Sequence, residues 1–144
     1  MKKTSIIALL LASFLLTLVV SCKKDKTNNK FTGTYQGSMN RKIDYHTSSS
    51  TNKDTTYMTT IVIRANEAMS DYIYIDNLIT SSMAATVNGN NITIIPSSSN
   101  TGKDSGYGNI SGSSLSITYE DDVVSCVSST GYSEVTFNFK GTKN

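Results

Sequence analysis

Met83-Ala-Ala-Thr-Val-Asn-Gly89-Asn-Asn-Ile-Thr-Ile-Ile95 is the stretch from which the fold class is read. Met83, Ala85 and Val87 alternate with more polar positions, Asn88-Gly89-Asn90 interrupts them, and an apolar run returns from Ile92 to Ile95. Period-two alternation is the mark of a strand with one buried face. Asn-Gly between two such runs is the strongest short hairpin signal, because both residue types tolerate positive φ. Pro96 has no backbone N–H to give to a ladder and sits where the returning strand should stop.

The same alternation recurs outward from this hairpin. A second hairpin is expected from about Ser105 to Ser111 and from Ser114 to Glu120, turning at Ser111-Gly112-Ser113. Asp121-Asp122 then reads as a turn, and Val123 to Val127 as a candidate short strand. Tyr132 to Gly141 ends the chain with Val135, Phe137 and Phe139 in one phase. Toward the N-terminus, Asp71 to Asp76 places Tyr72 and Tyr74 on one face and Ile73 and Ile75 on the other. Asn66 to Ser70 is a turn or a single helical turn. Thr55 to Ala65 is a strand with Tyr57, Thr59, Ile61 and Ile63 in the core phase, and His46 to Asp54 is a polar connection. A long first strand starts at Phe31, whose phase runs Phe31, Gly33, Tyr35, Gly37, Met39 and continues across Arg41 to Ile43 and Tyr45. Its glycines mark a bend or a close approach of another strand.

Composition agrees. Residues 31–144 hold 44 Val, Ile, Thr, Tyr and Phe against 21 Ala, Leu, Glu, Lys, Gln, Arg and Met, a twofold excess of strand formers that makes the domain all-β. Eight or nine strands joined by short turns leave no helix for a crossover, so neighbours are antiparallel and the order is a meander. Such a meander can close into a small barrel and remove its exposed edges. A β-sandwich of the immunoglobulin kind is the alternative. A membrane-spanning barrel is not expected, because it would need about eight strands of 9–11 residues with an apolar outer face, whereas most segments here are five to seven residues with Ser and Thr outward.

Phe31-Thr-Gly33-Thr-Tyr35-Gln-Gly37 at the head of this meander resembles the opening strand of lipocalin-like domains in exported bacterial lipoproteins. Gly106-Tyr107-Gly108-Asn-Ile-Ser-Gly112-Ser-Ser-Leu115-Ser-Ile117 is similar to a later hairpin of the same domains. The resemblance implies a lipocalin-like barrel over residues 31–144, with the Gly-x-Tyr segment closing its floor.

The first thirty residues differ in kind. Lys2-Lys3 precedes an apolar run from Ile6 to Val20 that, at 1.5 Å per helical residue, covers roughly 22 Å. That is too short for a spanning helix and right for a secretory signal. Val19-Val20-Ser21-Cys22 resembles the lipobox of bacterial lipoproteins, and the Ser-Cys-Lys-Lys-Asp start resembles those of the Bacteroidota. The resemblance implies a signal peptide at 1–21, cleavage between Ser21 and Cys22, and fatty acylation at Cys22. The chain would then be anchored in the cell envelope, on the periplasmic face or the cell surface of the outer membrane. Residues 22–30 carry no apolar side chain after Cys22 and read as a flexible tether. The whole chain has 13 basic and 11 acidic residues. Divided, the tether is +3 and residues 31–144 are −3, so the slight overall surplus gives no reason to expect nucleic acid.

Chemistry-bearing residues are few. For nucleophilic catalysis by cysteine, Cys126 with His46 as base are the only candidates once Cys22 is acylated, and nothing in the sequence pairs them. Glu120-Asp121-Asp122 lacks any calcium-loop spacing, and its side chains should alternate between faces of a strand. No zinc cluster and no phosphate-binding glycine loop occurs, so neither metal nor cofactor is expected and the chain reads as non-enzymatic. Asp54-Thr55-Thr56 resembles an O-glycan acceptor, placing Thr55 as a candidate for modification. Tyr72 and Tyr74, sharing one face, are the candidate contacts for a ligand or partner. Together these features point to a membrane-anchored exported protein binding a small apolar ligand in or on its barrel, or alternatively serving as a surface module for a protein or glycan.

Overall fold

A computed structural model describes residues 30–46, 51–96, 104–123 and 132–144. Eight strands follow in chain order: β1 (Gly33–Tyr45), β2 (Lys53–Ala65), β3 (Tyr72–Asp76), β4 (Met83–Asn88), β5 (Asn91–Ile94), β6 (Ser105–Ser111), β7 (Ser114–Val123) and β8 (Ser133–Lys143). Each pairs antiparallel with its successor, and β8 pairs back onto β1 from Tyr35↔Lys143 to Tyr45↔Ser133, closing the barrel. The barrel reading thus holds and the sandwich does not.

The two central hairpins share one turn chemistry. Asn88 pairs with Asn91 and Ser111 with Ser114, leaving Gly89-Asn90 and Gly112-Ser113 as two-residue turns. Gly89 and Gly112 have φ near +60° while their successors do not have positive φ, the pattern of a type II′ turn with glycine first. The β4–β5 turn is therefore centred one residue later than Asn88-Gly89 alone suggests. The other sharp correction is β7. Asp121 and Asp122 do not turn; they continue the strand, pairing with Val135 and Glu134, and Val123 ends it opposite Ser133.

This meander gives the barrel two unlike ends. The chain enters at one end, where the 66–71 connection, the two glycine turns and Asn144 also lie. At the opposite end β1, β5 and β7 finish, β2, β6 and β8 begin, and the 77–82 connection lies. At the first end the barrel is plugged: Phe31 and Tyr35 are fully buried, and the Tyr35 hydroxyl donates to the Phe31 carbonyl at 2.8 Å. This agrees with the floor role implied for the Gly33-x-Tyr35 segment. Met39, Ile61, Ile63, Ile73, Ile75, Ala85, Ile92, Ile94, Ile117 and Phe139 continue one core above it.

Glycines make room for that core. β6 turns Gly106 and Gly108 toward the interior, and a Cβ on Gly106 would lie 2.7 Å from Ile94 Cδ1 and 3.0 Å from the Tyr119 ring. The space is thus taken by large neighbours. Around the outside, one register row passes through Tyr72, Thr86, Thr93, Tyr107, Thr118, Asn138, Asn40 and Thr56. Thr118 Oγ1 bonds Asn138 Oδ1 at 3.0 Å and Asn40 Nδ2 bonds Thr56 Oγ1 at 3.1 Å. A waist of hydroxyls and amides is the opposite of the apolar band a spanning barrel presents to lipid.

Candidate functional site

The strands are unequal, and that builds the site. β1 and β2 run 13 residues each and β8 runs 11, whereas β3, β4 and β5 run five, six and four. The long neighbours β2, β1, β8 and β7 therefore continue past the short half at the end away from the floor. Their inward phase stays open there. In register, one inward row reads Thr55, Arg41, Phe137, Tyr119, and the next toward the rim reads Lys53, Ile43, Val135, Asp121.

The 77–82 connection folds over this open half. Asn77 takes φ 66°, a left-handed conformation that asparagine accepts more readily than most residues, and Leu78 is buried at 2% exposure. Leu78, Ile79 and Phe137 then form the apolar wall of a cup of about 420 Å³, with Arg41, Tyr57 and Asp121 at its polar positions. That volume lies within the usual range of small-molecule sites, about 300–1,000 Å³.

Charges in the cup are held apart. The Arg41 guanidinium stands over the Phe137 ring at 5.8 Å from its centre, and Phe137 packs at 6.2 Å against Tyr119. Asp121 lies two strands from Arg41, with β8 between them. Beside Phe137 in the same row Tyr119 is buried and hydrogen-bonds to Asp104, itself only 6% exposed. Burial, reinforced by the negative charges of Asp104 and Asp121, pushes the Tyr119 hydroxyl up to about 12, so it stays a neutral donor. Around this row the cup thus passes from cation through a tilted pair of rings to a buried hydroxyl–carboxylate pair.

The sequence-derived candidates fall elsewhere or only partly here. Ile73 and Ile75 are fully buried, so Tyr72 and Tyr74 stand on the outer wall and line no interior space. Tyr74 is already engaged: Arg64 lies 5.5 Å from its ring centre, and Asn66 Nδ2 donates to its hydroxyl at 3.3 Å. Arg64 in turn grips Asp76 through two hydrogen bonds, which with Ser82 pull the Asp76 carboxyl down to about 2. Thr55 is exposed on β2 beside Arg41.

His46 is less isolated than a polar loop suggests. Its ring stacks on Tyr132 at 4.2 Å, and Nε2 lies 3.3 Å from a Glu134 oxygen. Glu120 is exposed while Asp121 faces the cup, the alternation expected for adjacent strand residues. Cys22, Ser21 and Cys126 lie outside the described residues, and among the described residues no three potential metal ligands cluster.

Sequence reading missed the cup because its members come from β1, β2, β7, β8 and the 77–82 connection. The signal that was present is Arg41: a full charge in the apolar phase of a core strand needs a polar opening opposite it. No protein-family description and no curated protein matches the sequence.

Proposed function

We propose that the chain is a lipid-anchored, exported binding protein that takes a small, largely apolar molecule into the cup at the open end of its barrel. The observation that carries this reading is the cup itself, where Leu78, Ile79 and Phe137 offer an apolar wall and Arg41, Tyr57 and Asp121 set orientation. A few directed polar groups in an apolar recess are the usual composition of a small-molecule site. Cys22 supplies the acyl anchor under the lipobox resemblance. No step of catalysis is assigned, and neither metal nor cofactor is invoked.

Saturable uptake of an apolar fluorescent probe by the Cys22→Ser chain, weakened at least tenfold by Phe137→Ala or Leu78→Ser with the fold intact, is the expected result. Uptake unchanged by both substitutions rejects the cup as the site. Loss of a protein or glycan partner on Tyr72→Ala with Tyr74→Ala would instead favour the surface-module reading. Anchoring is tested by Cys22→Ala, which should move the chain out of the membrane fraction or block its processing.

A further inference from the structure

The chain has two arginines, Arg41 and Arg64, and the barrel treats them alike up to one difference. Arg64 lies over the Tyr74 ring at 5.5 Å from its centre, and its N–H groups donate to the Asp76 carboxylate and the Ser82 hydroxyl. Arg41 lies over the Phe137 ring at 5.8 Å, the same placing of a cation on an aromatic face. Among the described residues, however, no hydrogen bond or ion pair takes the N–H groups of Arg41. Contact with a ring uses the flat face of a guanidinium and leaves the donors in its plane, a fork matched to a carboxylate.

The protein's own carboxylates do not supply the missing partner. Asp44 pairs with Lys42 at 2.7 Å, Asp54 accepts from Asn40 Nδ2 at 2.5 Å, Glu134 faces His46 at 3.3 Å, and Asp104 bonds Tyr119. Asp121 stands two strand spacings from Arg41, roughly 10 Å, and is engaged within the protein. In the sequence, residues 47–50, 97–103 and 124–131 contain neither Asp nor Glu. The cup is thus polarised around its wall, with Arg41 of β1 on one side, Lys53 of β2 one row outward, and Asp121 of β7 across from them.

Depth is limited as well. The row directly beneath Arg41 and Phe137 is Met39, Phe139 and Ile117, each at most 1% exposed, so the core closes the cup from below. We propose that the cup takes a compact monocarboxylate, its carboxylate held by Arg41 and its ring or branched apolar body laid against Phe137, Leu78 and Ile79. This rests on the reading of the cup as the binding site. The ligand supplies to Arg41 what Asp76 supplies to Arg64. A single negative charge suits one guanidinium in a cup that also holds Asp121, whereas a doubly charged phosphate would meet stronger repulsion there. A long acyl chain finds no channel beneath the cup to enter.

The Cys22→Ser chain is titrated at neutral pH with three fluorescent probes of closely similar shape: 2-naphthoate, 2-naphthamide and 2-naphthylmethylammonium. Because Arg41 is exposed, the ion pair is worth a few-fold in affinity and not orders of magnitude. The expected result is saturable binding of naphthoate, roughly threefold or more tighter than either of the others, a preference that Arg41→Met abolishes. Asp121→Asn should strengthen naphthoate alone, and hexadecanoate should displace it no better than octanoate. The comparison of head groups is read with Arg41 in place, so it stands even if Arg41→Met disturbs the fold. Naphthamide binding as tightly as naphthoate overturns the carboxylate and leaves the apolar cup intact. Preference for the ammonium overturns it in favour of Asp121, and stronger displacement by hexadecanoate overturns the compact ligand. No saturable uptake of any of the three overturns the cup as the binding site as well.

Discussion

At Gly37 the first and last strands meet so closely that a side chain has nowhere to go: a Cβ there would overlap the Lys140 carbonyl and the Gly141 Cα. Both obstacles are backbone, so no rotamer change relieves the overlap. Gly37→Ala is expected to destabilise the protein by roughly 2–4 kcal/mol, read from denaturant midpoints, because the closing seam must shift as a whole. Asp76 offers a second residue-scale test. Its carboxyl is held down to about 2 by hydrogen bonds from Arg64 and Ser82, against an ordinary 3.8. A depressed acid stabilises the folded chain above the unfolded value, and that contribution disappears as pH falls through the folded one. The loss therefore falls between about pH 4 and pH 2. Because Arg64 is 55% exposed, the effect is small and weakened by salt. Asp76→Asn should remove this part of the acid dependence while leaving the rest of the profile in place, as followed by thermal midpoints across the same window.

Among the elements, the hairpins were the most legible in the sequence, since glycine position and alternation are both local signals. Their turns make a local prediction. Gly89→Val puts a β-branched residue at φ 61° and should cost about 1–2 kcal/mol in thermal or denaturant unfolding, with Gly89→Asn costing less than about half of that. The Cβ of either meets nothing within 4 Å, so conformational preference alone is measured. Ile73 and Ile75 were likewise readable as the inner face of β3, and burial agrees. β7 was not readable to its end, because consecutive aspartates are turn formers by local preference. Pairing of Asp121 and Asp122 with β8 overrides that preference, and such pairing is a long-range fact. The cup was hidden for the same reason. Leu78 meets Arg41 and Phe137 only after the sheet has curled, and no local period joins a connection between β3 and β4 to the rim of β1 and β8. What local pattern did contain was the anomaly of Arg41 in a core phase.

For the whole molecule, closure is what strand alternation could not decide, since a sandwich and a barrel bury the same alternate residues. It is decided by β1, which pairs along most of its length with β2 on one side and β8 on the other. Removing residues 133–144 should therefore do more than delete one strand. It strips the partner from both β1 and β7, exposing two long edges ready to pair with other chains. Such a truncated chain is expected to lose its single cooperative unfolding transition and to elute as aggregates in size-exclusion chromatography. A rearranged chain of the same composition separates loss of closure from mere disturbance of the termini. The Asn144 backbone N–H donates to the Thr34 carbonyl at 3.0 Å, so the two ends of the barrel domain lie side by side on the floor. Joining them by a short Gly/Ser linker and opening the chain between Gly112 and Ser113 keeps every ladder and moves only a two-residue turn. This permutant should remain monomeric and unfold in one transition. If it aggregates as the truncated chain does, continuity of the β6–β7 hairpin, and not the β1–β8 seam, is what holds the barrel closed.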